Sequence, residues 1–404
     1  MTFSGYRHGE PGFRRVSIAL FAGSFASFGL LYAPQAMLPS FSREFDLSAA
    51  SAALSVSVTT IALAVGMLIA GQLSEVIGRT TVMRTALVGA AVITAATAAA
   101  GSWGWLLVLR ALTGLALAGF PAVAMAYLRE EVHPASLARA AGLYVGGTAL
   151  GGMTGRLVSG GLSQAGGWHW ALLGTGAYGL LCAAVVLLAL PESRNFHPAP
   201  SSVRSSLSAF MGALREPVLV GLYAIGGLSM GAFVAVFNIT GYRLESAPYL
   251  LPAGIAGLVF LVYPIGSVSS IVAGRFEQRI GRPRLVPIGF AIAMIGVLIT
   301  MLAPLWTFVV GMAVLTIGFF VVHGIAAGWV STRAHAVGRS TGSASALYLF
   351  TYYLGSSVFG TLAGIAWQYG GWDALAISTI TLLAIGLLIA LLLRRRATRD
   401  VAAD

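Results

Sequence analysis

Twelve apolar stretches of helix length divide this chain, and its basic residues fall almost entirely between alternate pairs of them. All 24 basic residues are Arg. With the N-terminus placed in the cytoplasm, twenty lie in inner segments or, as Arg84 and Arg139 do, within three residues of a span's inner end, Arg43 and Arg243 lie outside, and Arg110 and Arg156 lie deeper within apolar stretches. Only a chain threaded through a membrane has reason to sort its arginines so, because positive loops are retained on the cytoplasmic side. Crossing the hydrocarbon takes about 20 apolar residues per helix. The spans, helix 1 to helix 12, read as 16–38, 52–73, 82–100, 105–127, 139–161, 168–190, 218–242, 251–273, 285–302, 306–330, 341–366 and 374–393. The expectation is an all-α, multi-pass inner-membrane protein with twelve transmembrane helices and both termini cytoplasmic.

Several function classes drop out on composition. Hydrophobic residues make up 57% of the chain and charged residues 9%, too little charge to cover a soluble surface. The net charge of +11 is spread over the inner segments rather than gathered in a patch, so membrane topology accounts for it and nucleic-acid binding is not expected. The single cysteine, Cys182, sits in an apolar helix, which removes any intrachain disulfide or Cys-x-x-Cys site. Without lysine there is neither a Walker A P-loop nor Schiff-base chemistry. No cofactor or metal is expected, and the chain is not read as an enzyme. The N-terminal segment carries Arg7, Arg14 and Arg15 before an apolar run too long for a signal-peptide core, and is read as an uncleaved first helix.

One long inner loop, 191–217, carries Pro198, Pro200 and a run of serines (Ser201, Ser202, Ser205, Ser206, Ser208), and its composition reads as a flexible linker. It divides the chain into 1–194, a six-helix bundle; 195–217, a cytoplasmic linker; and 218–404, a second six-helix bundle. The halves repeat. At a shift of 203, Gly71–Arg79 falls on Gly274–Arg282; at 204, Gly114 falls on Gly318 and Leu143-Tyr144 on Leu347-Tyr348. The same shift places Leu150-Gly151 on Leu354-Gly355, Gly160 on Gly364 and Gly167-Trp168 on Gly371-Trp372. Two pseudo-symmetric parallel halves around a central cleft are the geometry that alternating access needs.

These loops resemble the major facilitator superfamily, over the whole chain. The family's loop between helices 2 and 3 reads Gly-x-Leu-(Ala/Ser)-Asp-x-x-Gly-Arg-(Lys/Arg), and Gly71, Leu73, Ser74, Gly78 and Arg79 fit it. Glu75 stands for the usual Asp, and Thr80 for the second basic residue, with Arg84 further on. Arg110 and Gly114 match the helix 4 signature, and Pro191-Glu192-Ser193 the usual exit from helix 6. Within the superfamily the chain looks most like the bacterial drug:proton antiporter branch, near its YnfM-type acriflavine-sensitivity group, through phrases such as Ala141-Gly142-Leu143-Tyr144-Val145 and Tyr352-Tyr353-Leu354-Gly355-Ser356-Ser357. The resemblance implies secondary transport, with export as its direction. The antiporter signature Gly-Pro-x-x-Gly-Gly is here Gly147-Thr148-Ala149-Leu150-Gly151-Gly152, without its proline.

Candidate site residues follow. Gly71, Glu75, Gly78 and Arg79 form the gating motif, in which Gly78 permits the turn and Arg79 can face a helix C-terminus or a carboxylate across the half interface; the plainer reading makes Arg79 a topology charge. Gly142, Gly146, Gly147, Gly151, Gly152 and Gly155 give helix 5 a face for close packing. Arg110 lies about 7 Å below the outer end of helix 4 at 1.5 Å per residue. Either it binds an anionic or electron-rich substrate group, or it bonds backbone carbonyls. Arg156, nearer the outer end of helix 5, is read as snorkelling to the interface. None of the 13 Asp and Glu residues falls at mid-membrane, so His323 on helix 10 is the proton-coupling candidate, against a packing role, with Glu75, Glu130 and Glu131 as inner alternatives. Helices 1, 4, 7 and 10 surround the cleft in the family, so Tyr32, Gln35, Phe120, Phe233, Phe237, Asn238, Phe319 and Trp329, with Arg110, are candidates for substrate contact. An aromatic cavity with few charges favours lipophilic or amphiphilic ligands over sugars.

The expected function is a proton-coupled exporter of such compounds, working as a monomer in the lipid bilayer with a small-molecule substrate and protons as partners. The rival is an uncoupled facilitator or importer of a small metabolite, an anionic one being anchored by Arg110; a non-transporting sensor or assembly partner is the third class. Gly227–Gly231 matches the hydrolase pattern Gly-x-Ser-x-Gly and Gly174–Gly179 a dinucleotide pattern, but both lie inside apolar helices without the strand–turn–helix setting their chemistry needs.

Overall fold

A computed structural model describes residues 5–196 and 203–403. Among the described residues the only β pairing is one isolated parallel bridge, Tyr6 with Val132. Ten helices are long and apolar enough to cross a membrane, and two of them are double length. Pro134–Ala189 runs for 56 residues but is broken at Gly166 and Gly167, the latter at φ 78°. Thr341–Ala403 is broken in the same way at Gly370 and Gly371, the latter at φ 58°. Each long run therefore supplies two crossings, and the fold is the expected all-α membrane architecture of twelve.

From here helix 1 is Pro11–Phe45, helix 2 Ala49–Ile77, helix 3 Arg79–Thr97 and helix 4 Trp103–Glu131. Helices 5 and 6 are the two arms of Pro134–Ala189; helices 7 to 10 are Pro217–Glu245, Ala253–Ile280, Arg282–Thr300 and Leu305–Ala336. Helices 11 and 12 are the arms of Thr341–Ala403. Most run several residues past their apolar cores, because a helix satisfies its own backbone and need not end where the hydrocarbon does. Ser102 caps helix 4 by accepting the Trp105 N–H at 3.3 Å, so the outer turn before it needs almost no loop. Helix 1 is not regular. Pro34 converts Ala33–Met37 to a 3₁₀ turn, after which Leu38–Phe45 resumes the helix.

Cα packing divides the chain into two compact units: one of Met1–Leu47, Leu54–Ser201 and Pro252–Phe260, the other of Ser48–Ala53, Ser202–Leu251 and Leu261–Asp404. In the first, helix 5 lies against helix 1 through Gly147, Gly151 and Gly155, where a Cβ would strike the carbonyl oxygens of Phe21, Phe25 and Gly29. Gly142 and Gly146, by contrast, have open space beside them. The second unit repeats this seam: a Cβ on Gly355 of helix 11 would strike the Gly227 carbonyl of helix 7. Close backbone approach of this kind replaces the hydrophobic drive that lipid withholds from helix association. Large side chains such as Leu188, Leu181 and Val76 stand exposed, as a lipid-facing surface allows.

The loop that reads as flexible holds a helix, Val203–Leu214. Leu207, Phe210, Met211 and Leu214 recur at helical spacing, and Ala213 is fully buried. The apolar spacing outweighs the serines there. Pro198, Pro200, Ser201 and Ser202 lie outside the described residues.

Candidate functional site

One end of the first unit is a charge network built on the turn between helices 2 and 3. Gly78, at φ 95°, reverses the chain, and Arg79 opens helix 3 at 6% exposure. Its Nη1 donates to Ser74 Oγ at 2.6 Å, and its Nη2 to Glu75 Oε1 at 2.7 Å and Glu130 Oε1 at 2.8 Å. Its Nε donates to Glu130 at 3.2 Å, and the Phe196 ring lies 5.3 Å from its Cζ. These carboxylates belong to Arg79's own unit, which corrects the expectation of a partner across the halves. Helix 4 continues to Glu131 and so brings Glu130 alongside.

The exit from helix 6 is bound into the same network. Thr80 donates to Glu192 at 2.7 Å, Arg84 pairs with Glu192 and also donates to the Leu190 carbonyl at 2.7 Å, and Tyr127 donates to the Pro191 carbonyl at 2.9 Å. The Thr80 hydroxyl and the Arg84 guanidinium hold the Glu192 carboxyl below the usual glutamate range. Glu131, fully buried, accepts the backbone N–H groups of Arg194 and Asn195 at 2.7 and 2.8 Å. Of the alternatives for coupling, Glu75 and Glu130 are thus paired with Arg79, while Glu131 uses only Oε1 and leaves Oε2 buried without a hydrogen-bond partner among the described residues.

Arg110 is fully buried. Its Nε donates to the Ser55 carbonyl at 3.2 Å, Nη1 to Leu30 at 3.3 Å and Nη2 to Leu31 at 2.9 Å. Pro34 frees one of those acceptors: it has no N–H to give the Leu30 carbonyl four residues back. Three bonds of about 1.5–3 kcal/mol each offset an insertion cost of about 2.5–3.5 kcal/mol. Of the two readings of Arg110, the geometry presents backbone bonding across helices 1, 2 and 4.

Arg156 departs from its snorkelling expectation. It is 1% exposed, with Nε donating to Gln35 Oε1 at 2.6 Å and Nη1 to the Gly152 carbonyl at 2.6 Å. Its Cζ lies 4.7 Å from the Tyr32 ring centroid and 5.1 Å from that of Phe260. The 3₁₀ turn carries Gln35 inward to meet it, while Ser159 donates to the freed Ala33 carbonyl at 2.8 Å. Tyr32 and Gln35, named from sequence, therefore converge on a cation that sequence assigned to the interface. The signal was present: Arg156 follows Gly155, and that glycine belongs to the face that meets helix 1.

In the second unit the candidates form an aromatic cluster. Phe233 stacks on Phe319 at 4.0 Å and touches Phe237 at 4.5 Å, with Tyr263 at 5.6 Å from both Phe233 and Phe237. His323 continues the stack, nearly parallel to Phe319 at 5.8 Å and 4.6 Å from Tyr352. Its Nδ1 shares a hydrogen bond with the Tyr348 hydroxyl at 3.1 Å. Asn238, which follows Phe237 on helix 7, donates to the Gly360 carbonyl at 3.1 Å. Trp329 is half-buried and has no ring partner among the described residues, and Phe120 is packed in the core of the first unit over Gly23. Sequence reading missed Tyr263, Tyr348 and Tyr352; Tyr348 is the repeat mate of Tyr144, which pointed to a structural position.

Twelve crossings in two helical units, with a charge network at the turn between helices 2 and 3, are the architecture of a membrane transporter. The family model described as Major Facilitator Superfamily matches residues 20–360, and the chain belongs to that family. It is 41% identical over 390 residues to the inner membrane transport protein YnfM of Escherichia coli (strain K12), covering 96% of this chain and 93% of that one. It is 40% identical over 395 residues to the MFS-type transporter YybF of Bacillus subtilis (strain 168), covering 98% and 96%. Among solved structures, a bacterial homologue of the human lysosomal transporter Spinster, inward-facing and occupied, superposes with a TM-score of 0.76 at 18% identity over 97% of this chain and 98% of the other. A point mutant of the nucleoside transporter NupG superposes at 0.74 with 13% identity, over 95% and 99%. The chain is a multi-pass membrane transporter and not an enzyme.

Proposed function

We propose that this protein is a proton-coupled exporter of small lipophilic or amphiphilic compounds, working by alternating access as a monomer in a bacterial inner membrane. Both termini are cytoplasmic in this reading, and 195–217 links the functional halves. The observation that carries it is the second unit's aromatic cluster with a titratable ring built into it. Phe233, Phe237 and Phe319 offer an apolar aromatic surface, and His323, hydrogen-bonded to Tyr348, sets an imidazole, a side chain able to carry a proton, beside those rings. Arg79 with Ser74, Glu75 and Glu130 is the inner gating element, held by bonds that opening and closing would break and remake.

The test uses everted vesicles containing the overexpressed protein, with a pH-sensitive dye reporting an imposed proton gradient. A lipophilic dye or drug that dissipates the gradient only when the protein is present supports export by antiport. Labelled compounds that cross without consuming the gradient overturn it.

A second reading has its own observation. A buried Arg156 presented by Gln35 and flanked by the Tyr32 and Phe260 rings suits an anionic metabolite, taken up or equilibrated without protons. In this reading the anchor moves from Arg110, which is committed to three carbonyls, to Arg156. Arg110 then keeps only a supporting role in substrate contact.

A further inference from the structure

A groove of about 430 Å³ lies at the inner end of helix 8, lined by Val272, Arg275, Phe276, Gln278 and Arg279. At 3.6 residues per turn, Val268, Val272, Arg275 and Arg279 fall within an arc of about 60° on one helix face. That face is exposed: Val268 60%, Val272 41%, and next to them Ile271 63% and Phe276 49%. An apolar track therefore runs along the helix and ends on two exposed guanidinium groups, where the positive-inside arrangement puts the cytoplasmic headgroup layer. The nearest carboxylate on this helix, Glu277, points to the opposite face and is occupied by Arg282, whose Nε donates to it at 2.5 Å.

Membrane topology alone does not demand this arrangement. At the repeat shift of 203, Arg275, Phe276 and Arg279 correspond to Gln72, Leu73 and Val76, so the first half carries no cation at these positions. The geometry points to a binding site for an acidic phospholipid, with the phosphodiester held by Arg275 and Arg279 and an acyl chain laid along Val272, Val268 and Ile271. Two guanidinium forks match phosphate oxygens bidentately, and an amphiphile is the one source of that phosphate which also uses the apolar track. Free phosphate would leave the track empty. The site is separate from the residues assigned to substrate, and it stands whether or not the transported compound is lipophilic.

The experiment is native mass spectrometry of the full chain, delipidated in mild detergent and titrated with phosphatidylglycerol or phosphatidylcholine. Wild-type protein is expected to retain phosphatidylglycerol about fivefold better than phosphatidylcholine. The double variant Arg275→Gln/Arg279→Gln should lose that preference, while Arg339→Gln, a cytoplasmic charge elsewhere, should keep it. Equal retention of both lipids by wild-type protein overturns the proposal without any variant having to fold. So does a double variant with undiminished preference, or an equal loss in Arg339→Gln. Inorganic phosphate at millimolar concentration should not displace the lipid; if it does, the site takes free anions and the lipid assignment fails.

Discussion

The two units carry the same helical framework and fill it with opposite chemistry. In the first, two arginines lie inside the membrane spans, Arg110 tied to three backbone carbonyls and Arg156 to Gln35 and a carbonyl of its own helix. In the second, the polar groups give way to a run of stacked rings, Phe233, Phe319 and His323, closed by Tyr348 and Tyr352. A buried cation is costly unless its donors are met, so Arg110 is a fixed member of the helix packing. Aromatic faces and an imidazole need fewer partners, so the second unit can stack rings from three helices with one histidine–tyrosine hydrogen bond among them. The same contrast appears at the turns made by Gly78 and Gly281: Arg79 has Ser74, Glu75 and Glu130, whereas its repeat mate Arg282 has Glu277.

The largest way to break this contrast is to empty the first unit's fixed cation. Arg110→Leu takes the guanidinium donors from the carbonyls of Leu30, Leu31 and Ser55, of which Ser55 keeps the Thr59 hydroxyl, at about 1–3 kcal/mol for each carbonyl left unmet, and should lower the folded fraction in fluorescence-detected size-exclusion. Arg110→Lys should not restore it, because one ammonium cannot reach carbonyls on two helices in the fork geometry of a guanidinium. A normal melting temperature in Arg110→Leu would show that the three bonds contribute nothing.

Next in size is the inner turn. Arg79→Ala should keep the protein folded yet lower transport by about tenfold or more, since it removes every bond joining helix 3 to Glu75 and Glu130. Normal transport at equal protein level would leave Arg79 as a topology charge. Arg156→Gln is the mutation that sharpens the choice of substrate: about twofold or less for a neutral amphiphile, but a loss of about tenfold or more for an anionic compound. Transport of both unchanged would remove Arg156 from the substrate site.

The smallest effect belongs to Glu192, which is exposed. Its carboxyl is held below the ordinary range by Thr80 and Arg84, so the stabilisation is present above that range and is lost as pH falls through the depressed value. Wild-type protein should therefore melt slightly above Glu192→Gln at neutral pH, with the gap closing in acid. A gap that is constant with pH would mean that the charge on Glu192 is not what matters.

The framework was legible because membrane physics writes it in simple marks: long apolar runs mark the spans, and glycines mark where backbones meet or reverse. Gly78 and Gly281 both take positive φ ahead of an arginine, and Gly167 and Gly371 both break a long helix, as the repeat required. The partners of the charged groups were not legible. Arg156 reads as interfacial by its place along helix 5, and only the 3₁₀ turn at Pro34 reveals that Gln35 reaches it. Arg79's carboxylate could not be assigned because the apolar run of helix 4 stops at 127 while the helix continues to Glu131. The helix Val203–Leu214 was hidden by serines that its apolar spacing outweighs. His323 was visible as the titratable group, but its setting among Phe319, Tyr348 and Tyr352 joins helices 10 and 11, which no local pattern announces.

The central claim is that coupling resides in the second unit's ring cluster. Proteoliposomes containing His323→Phe, which keeps a ring in the stack, test it by comparing two assays on one preparation. Counterflow of a substrate found in the vesicle screen needs no net proton movement, whereas accumulation driven by an imposed pH gradient does. The account expects counterflow to persist and gradient-driven accumulation to vanish. Accumulation at the wild-type level in His323→Phe would contradict it.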